Sequence, residues 1–200
     1  MTTWLVRPAR WLVPGAYASW LETPGSLTAR LRAVSTSFRV LRLAEGWGRA
    51  HRDERDALAI AADEPVWLRE VLLLCDEEPV VFAHSIVAAA ELNGPWRSLR
   101  RQGSRPLGDS LFAGGHRHAV ARSPLSFARL APNHPLHRGA VRALGQPLPA
   151  MWARRGVHRR TGTPLVVTEL FLPAVLSLTD VRAPSTELPS DTPTPRIDMP

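Results

Sequence analysis

Two predominantly apolar, strand-like stretches of this chain, Trp67 to Leu74 and Pro164 to Pro173, each carry one ionisable residue among apolar neighbours on one face. Both are read as strands, in which successive side chains point to opposite faces. On the first, Arg69 shares a face with Trp67, Val71 and Leu73; on the second, Glu169 shares a face with Leu165, Val167 and Phe171. A charge on an apolar face is unfavourable unless something pairs with it. The two residues either pair with each other or are kept for a ligand.

Hydrophobic spacing and turn residues organise the remaining sequence. Tyr17, Trp20 and Leu21 fall at helical spacing before Thr23-Pro24-Gly25 breaks the pattern. Ser26 or Thr28 caps a second short helix through Leu31 and Val34. Residues 36–47 alternate as a half-exposed strand, and 51–62 read as a short helix or loop. Residues 66–75 and 79–88 form the clearest strand pair, joined by the polar Asp76-Glu77-Glu78-Pro79 connection of a hairpin. Asn93-Gly94-Pro95 then opens a helix around 96–102, and Pro106-Leu107-Gly108 starts a short segment ending at Phe112. Residues 123–131, 151–160 and 164–172 read as strands, and the proline-rich stretch 132–150 as a long loop with one turn of helix. Two Trp-Leu-Val runs, at 4–6 and 11–13, form an N-terminal apolar anchor.

Strands joined by hairpin-length connections, with helices early and in the middle, predict an α+β fold on a single antiparallel sheet. Residues 1–182 are read as one domain. From Ala183 to Pro200 there are five prolines, several Ser and Thr, and no aromatic residue. Such a segment buries too little apolar area to offset its ordering entropy, so 183–200 is read as a Pro/Ser/Thr-rich disordered tail.

At 200 residues and 44% hydrophobic content, the chain can bury a substantial core. Its net charge of +7 would suit nucleic acid, but all 25 basic residues are Arg, dispersed along the sequence. No zinc-finger, RNA-recognition or basic-zipper pattern accompanies them, and the reading is of no nucleic-acid partner. The single Cys75 excludes an intrachain disulfide framework and reads as a small buried hydrophobe. Arg7, Pro8 and Arg10 interrupt the N-terminal apolar runs, so they are not a signal peptide. No apolar run approaches the ~18 residues of a membrane span. A cytoplasmic location is expected.

Arg69 has two readings. It forms a structural ion pair with Glu70, Glu169 or another carboxylate, or it is a carboxylate receptor, its planar fork meeting a ligand through two parallel hydrogen bonds. Glu169 has the same ambiguity: it meets a substrate hydroxyl in a dry pocket, or it pairs with an arginine such as Arg154 or Arg155. His116-Arg117-His118 and His134-Pro135-Leu136-His137 each present two nitrogens, but no nearby carboxylates complete a set, so no metal is expected. His84 alternates with Phe82 and Ile86 and reads as a core or pocket-wall residue. Nucleophile-elbow, phosphate-loop and dinucleotide signatures are all missing, and no cofactor is implied.

The strings WLREVLLL, EEPVVFAHSIV, LNGP, RPLGDSLF, MWARR and TPLVVTELFLP, in that order along residues 67–173, resemble the chorismate pyruvate-lyase family. The resemblance extends from about Trp20 to Pro173, and WLRE and TELFLP are its most specific parts. It implies a single antiparallel sheet with helices gathered on one side and an enclosed ligand pocket. It implies a lyase converting chorismate to 4-hydroxybenzoate and pyruvate, on the route to ubiquinone, with no metal and no organic cofactor. By position, Arg69 matches the arginine that holds the ring carboxylate, and Glu169 the glutamate that meets the ring hydroxyl. Leu107 matches a residue whose backbone contacts the ligand. Leu27 falls where the family often has Met, also at the ligand. The partner expected is therefore the small molecule chorismate, bound by a monomer.

Two other functions compete. Similar folds serve as effector-binding domains of transcription regulators, where the pocket senses a small acid without reaction. The residues before Ala33 are too short and too rich in Trp and Pro for a DNA-reading helix pair. A lyase relative yielding another isomer, 3-hydroxybenzoate, is the third reading.

Overall fold

Asp76 and Glu77 adopt φ of 50° and 65°, the left-handed pair that a two-residue hairpin turn requires. They fold β2 (Pro65–Cys75) back on β3 (Glu78–Ala88). A second tight turn, at Thr161 (φ 48°) and Gly162 (φ 86°), joins β6 (Met151–Arg160) to β7 (Thr163–Phe171). The computed structural model describes residues 2–6, 13, 15–23, 25–112 and 120–178. Its other strands are β1 (Phe38–Arg49), β4 (Ala121–Arg122) and β5 (Ser126–Leu130). The helices are α1 (Gly15–Leu21), α2 (Leu27–Ala33), α3 (Arg52–Leu58), α4 (Leu107–Phe112) and α5 (Pro135–Leu144).

All seven strands form one antiparallel sheet in the order β1-β2-β3-β7-β6-β4, with β5 also on β6. The α+β class and the single sheet are those read from the sequence. Near the N-terminus, Leu5 pairs with Phe127 in an isolated antiparallel bridge, so the first apolar run extends the sheet beside β5. Most of the second run, the histidines at 116 and 118, and the whole 183–200 tail lie outside the described residues.

On one face, Val71, Leu73, Val81, Ala83 and Phe171 pack against Trp20 and Leu21 of α1 and Leu27 and Leu31 of α2. Farther along, Val87 and Leu165 meet Trp96, Leu99, Leu107 and Leu111. The opposite face is also covered: Leu72, Phe82 and Leu170 meet Leu136 and Ala140 of α5, and Val66, Ile86 and Val166 meet Leu58 of α3. The resemblance implied helices on one side; α1, α2 and α4 gather on the first face, but α3 and α5 cover the second, whose strand residues are apolar as well.

Two elements differ from the sequence reading. Residues 97–101 form a 3-10 turn rather than an α-helix. The stretch 132–150, read as a loop with one helical turn, holds the ten-residue α5. Its prolines bracket the helix. Pro135 sits at the first turn, where a missing N–H costs nothing. The His134 ring nitrogen accepts from the Leu136 N–H at 3.2 Å, and Gly145, at φ 67°, ends the helix in the left-handed region. Among the described residues, no helix is long and apolar enough to cross a membrane.

Candidate active site

Between the apolar clusters of the first face lies a polar belt. Strand register builds it: Arg69 pairs with Ser85, Ser85 with Val167, and Val167 with Gly156. One side-chain repeat away, Val71, Ala83, Glu169 and Arg154 form the next row. Arg69 and Glu169 therefore share a face, two strands and one row apart, which sheet spacings make roughly 12 Å between Cα atoms. These rows floor a cavity roofed by Ser26, Leu27 and Thr28 on one side and Pro106, Leu107 and Gly108 on the other. All four residues singled out from the sequence, Leu27, Arg69, Leu107 and Glu169, line it.

The cavity encloses about 640 Å³ of non-atom space counted out to its open side, of which about 60 Å³ admits the centre of a water molecule. That suits on the order of five waters. A substituted ring must part the roof slightly to enter. The roof is made for such contact. A Cβ on Gly108 would come within 3.0 Å of both Ser26 Oγ and Thr28 Oγ1, so glycine lets α4 approach the start of α2. Arg32 and Asp109 latch the two helices through paired 3.0 Å bonds on the exposed side.

Arg69 is 4% exposed and has no carboxylate within ion-pair distance among the described residues. Its Nε and Nη2 donate to the Gly103 carbonyl at 3.2 and 2.8 Å, and Nη2 also reaches the Arg105 carbonyl at 3.1 Å. Nη1 has no hydrogen-bond partner among the described residues. Burial pulls the Arg69 pKa below its ordinary value, with Glu45 across the strand pair acting against that. The structural ion pair considered for Arg69 is not formed: Glu70 points to the other face, where its Oε1 meets His84 Nδ1 at 3.1 Å, and Glu169 belongs to Arg154.

That second pairing follows the sequence reading. Arg154 Nε donates to Glu169 Oε2 at 2.5 Å, while Nη1 reaches the carbonyls of Leu21 and Thr23 at 3.4 and 3.2 Å. One guanidinium thus fixes the carboxylate and the end of α1 together. Glu169 Oε1 has no hydrogen-bond partner among the described residues and remains available to a ligand.

Three further polar residues escaped the sequence reading. Arg122 lines the cavity from the short β4 and donates to the Gly25 carbonyl at 3.2 Å. Its cross-strand neighbour His158 is pushed down to about 4 by burial; Glu169 opposes the shift and Arg122 and Arg154 add to it. His158 is therefore neutral at pH 7. Ser85 adds a hydroxyl beside Arg69. Arg122 carried no periodic signal, because β4 has only two residues.

The sequence profile of the family described as "Chorismate lyase" matches residues 1–181. The "Probable chorismate pyruvate-lyase" of Cupriavidus pinatubonensis is 44% identical over 167 residues, 82% of this chain and 84% of that protein. The protein of the same name from Aromatoleum aromaticum is 43% identical over 178 residues, 88% of this chain and 95% of its own. Among solved structures, a GntR-family transcriptional regulator from Bacillus cereus aligns with TM-score 0.51 at 13% identity, over 69% of this chain and 93% of the other. PhnF from Mycobacterium smegmatis aligns with TM-score 0.52 at 17% identity, over 76% and 65%. These two likenesses concern the fold.

Proposed function

The chain belongs to the chorismate lyase family, and on that premise we propose that it converts chorismate to 4-hydroxybenzoate and pyruvate. The observation carrying this reading is the cavity in which a buried Arg69 with one open edge and a Glu169 with one open oxygen face inward without pairing with each other. The supply of an aromatic precursor for ubiquinone, a cytoplasmic location and action as a monomer belong to the same proposal.

In the reaction, the C4–H and C3–O bonds of chorismate break and a third ring double bond forms. The enolpyruvyl group leaves, gaining a proton at its methylene carbon to become pyruvate. Aromatisation drives the step, so the protein has mainly to orient the substrate and receive shifting charge. Arg69 holds the ring carboxylate through a charge-assisted bond from Nη1, strengthened by the low dielectric. Glu169, fixed by Arg154, accepts from the C4 hydroxyl through Oε1. Leu27 and Leu107 supply apolar roof. Chorismate has a second carboxylate on the departing group. Arg154 is already committed to Glu169 and His158 is neutral, so among the described residues lining the cavity Arg122 is the cation left to receive it.

Purified protein incubated with chorismate in the absence of added metal is expected to release 4-hydroxybenzoate and pyruvate, identified by chromatography. Chorismate left intact by folded protein overturns the proposal. Release of 3-hydroxybenzoate would redirect it to a different isomer.

A further inference from the structure

The second face of the sheet carries its own polar belt, made by the sequence neighbours of the first. Glu70, His84, Thr168 and Arg155 pair in one row across β2, β3, β7 and β6, and α3 adds Asp53 and Glu54. Three carboxylates converge there. Arg155 lies 2.9 Å from Asp53 and 3.9 Å from Glu54. No other arginine among the described residues reaches ion-pair distance of any of the three, and Arg142 acts on Glu70 only from farther away. Imidazoles stand beside all three: His84 lies 3.1 Å from Glu70 and 3.4 Å from Glu54, and His134 3.5 Å from Asp53.

At its centre two buried atoms face each other. Glu54 Oε1 and His84 Nε2 lie 3.4 Å apart, on side chains 0% and 3% exposed, and neither makes a hydrogen bond. The other end of each side chain is fixed. Glu54 Oε2 accepts from the His51 backbone N–H at 2.9 Å, and Glu70 Oε1 meets His84 Nδ1 at 3.1 Å. A carboxylate at Nδ1 favours the tautomer that leaves the lone pair on Nε2. Two acceptors then aim at one point. His51 brings a third: ligand atoms of His51, Glu54 and His84 all lie within 4.8 Å of one another. The His51 and His84 ring centroids are 5.7 Å apart. Two imidazoles on a tetrahedral ion, with metal–nitrogen distances of ~2.0–2.1 Å, hold their centroids roughly 5 Å apart.

We propose that His51, Glu54 and His84 bind a divalent transition-metal ion, zinc by the character of the ligand set, with Glu70 orienting His84 from behind. Two imidazoles and one carboxylate are a donor set that zinc takes readily. The ion ties the start of α3 to β3. His51 lines an open cavity on this face together with Trp4, His134 and Arg155, which gives the ion a route in. The site stands on the face opposite the lyase cavity and does not depend on the proposed reaction.

The test uses full-length protein, stripped with chelator, shown to be folded by circular dichroism, and titrated with Zn²⁺ and separately with Co²⁺. One equivalent should bind, Co²⁺ should show the visible bands of a tetrahedral site, and Glu70→Gln should weaken binding at least ~10-fold. His51→Ala, at a half-buried position, should abolish the Co²⁺ bands; it carries the test if His84→Ala does not fold. Substoichiometric binding by folded wild-type protein, as expected if His84 holds a proton there instead, overturns the site. Unchanged affinity in folded His51→Ala does the same.

Discussion

Arg69 and Glu169 face one cavity from strands two apart, and each is held by a different partner. Backbone carbonyls of Gly103 and Arg105 clamp the first, and the Arg154 guanidinium clamps the second. Their separation follows from register, and it leaves an open donor at one end of the site and an open acceptor at the other.

Arg69→Ala should raise KM for chorismate and weaken 4-hydroxybenzoate together, since both ligands carry the ring carboxylate. Loss of a buried charge-assisted contact costs at least ~2 kcal/mol, or roughly 30-fold. Steady-state kinetics and product inhibition measure the two effects. Wild-type values in the variant would remove Arg69 from the carboxylate site.

Arg122→Ala should separate substrate from product. Chorismate has the second carboxylate and 4-hydroxybenzoate lacks it, so KM should rise by up to about tenfold, the ~1.4 kcal/mol of one charge-assisted contact from an exposed arginine. The inhibition constant of the product should stay within about twofold. An equal loss for both ligands would mean that Arg122 only shapes the cavity.

Glu169→Gln leaves the buried Arg154, 3% exposed at its side chain, facing a neutral amide. Stability should fall by about 1–3 kcal/mol in urea denaturation, the range for hydrogen bonds to charged groups. Arg154 then loses its hold on one of the two things it connects, and kcat should fall as well. Full stability in the variant would show that the short Arg154–Glu169 contact contributes little.

The Arg32–Asp109 latch is 46% and 48% exposed at its side chains, so Asp109→Asn should change stability by less than ~1 kcal/mol. It should nonetheless speed dissociation of 4-hydroxybenzoate, followed by stopped-flow fluorescence, because α2 and α4 must part to release a ring. An unchanged rate would assign the opening to another part of the roof.

His158 sets a pH dependence of stability. Its folded pKa is about 4, against about 6.5 in an unfolded chain. Between those values the unfolded chain binds the proton and the folded protein does not, so stability rises with pH. The contribution is complete above about pH 6.5, is lost as pH falls towards 4, and amounts to at most on the order of 3 kcal/mol. His158→Asn should lose less stability than wild type between pH 7.5 and pH 5 in urea titrations. His51 and His84 titrate in both proteins, so the difference isolates His158. Equal losses would assign the slope elsewhere.

The strands and the two charged positions were legible because a period of two is a local property. Any ionisable residue on an apolar face stands out within a few neighbours, as Arg69 and Glu169 do. Leu27 and Leu107 were legible only through the family resemblance, since a leucine that roofs a cavity looks like one that fills a core. Helix α5 was missed because Pro132, Pro135, Pro147 and Pro149 outweighed the Leu136–Ala140 spacing, although only Pro135 lies within the helix, at its first turn. The group His51, Glu54 and His84 left one faint trace, the His-x-x-Glu spacing of a helix start. Register alone brings His84 to it.

The belts on the two faces are written in the same four dipeptides: Arg69-Glu70, His84-Ser85, Thr168-Glu169 and Arg154-Arg155. Anyone redesigning this enzyme for another ring acid thus meets a constraint. A strand substitution that shifts the backbone at the cavity floor will also disturb the ion pairs behind it. Helices α2 and α4 carry no such second duty, and directed evolution of substrate choice should find its tolerated changes there.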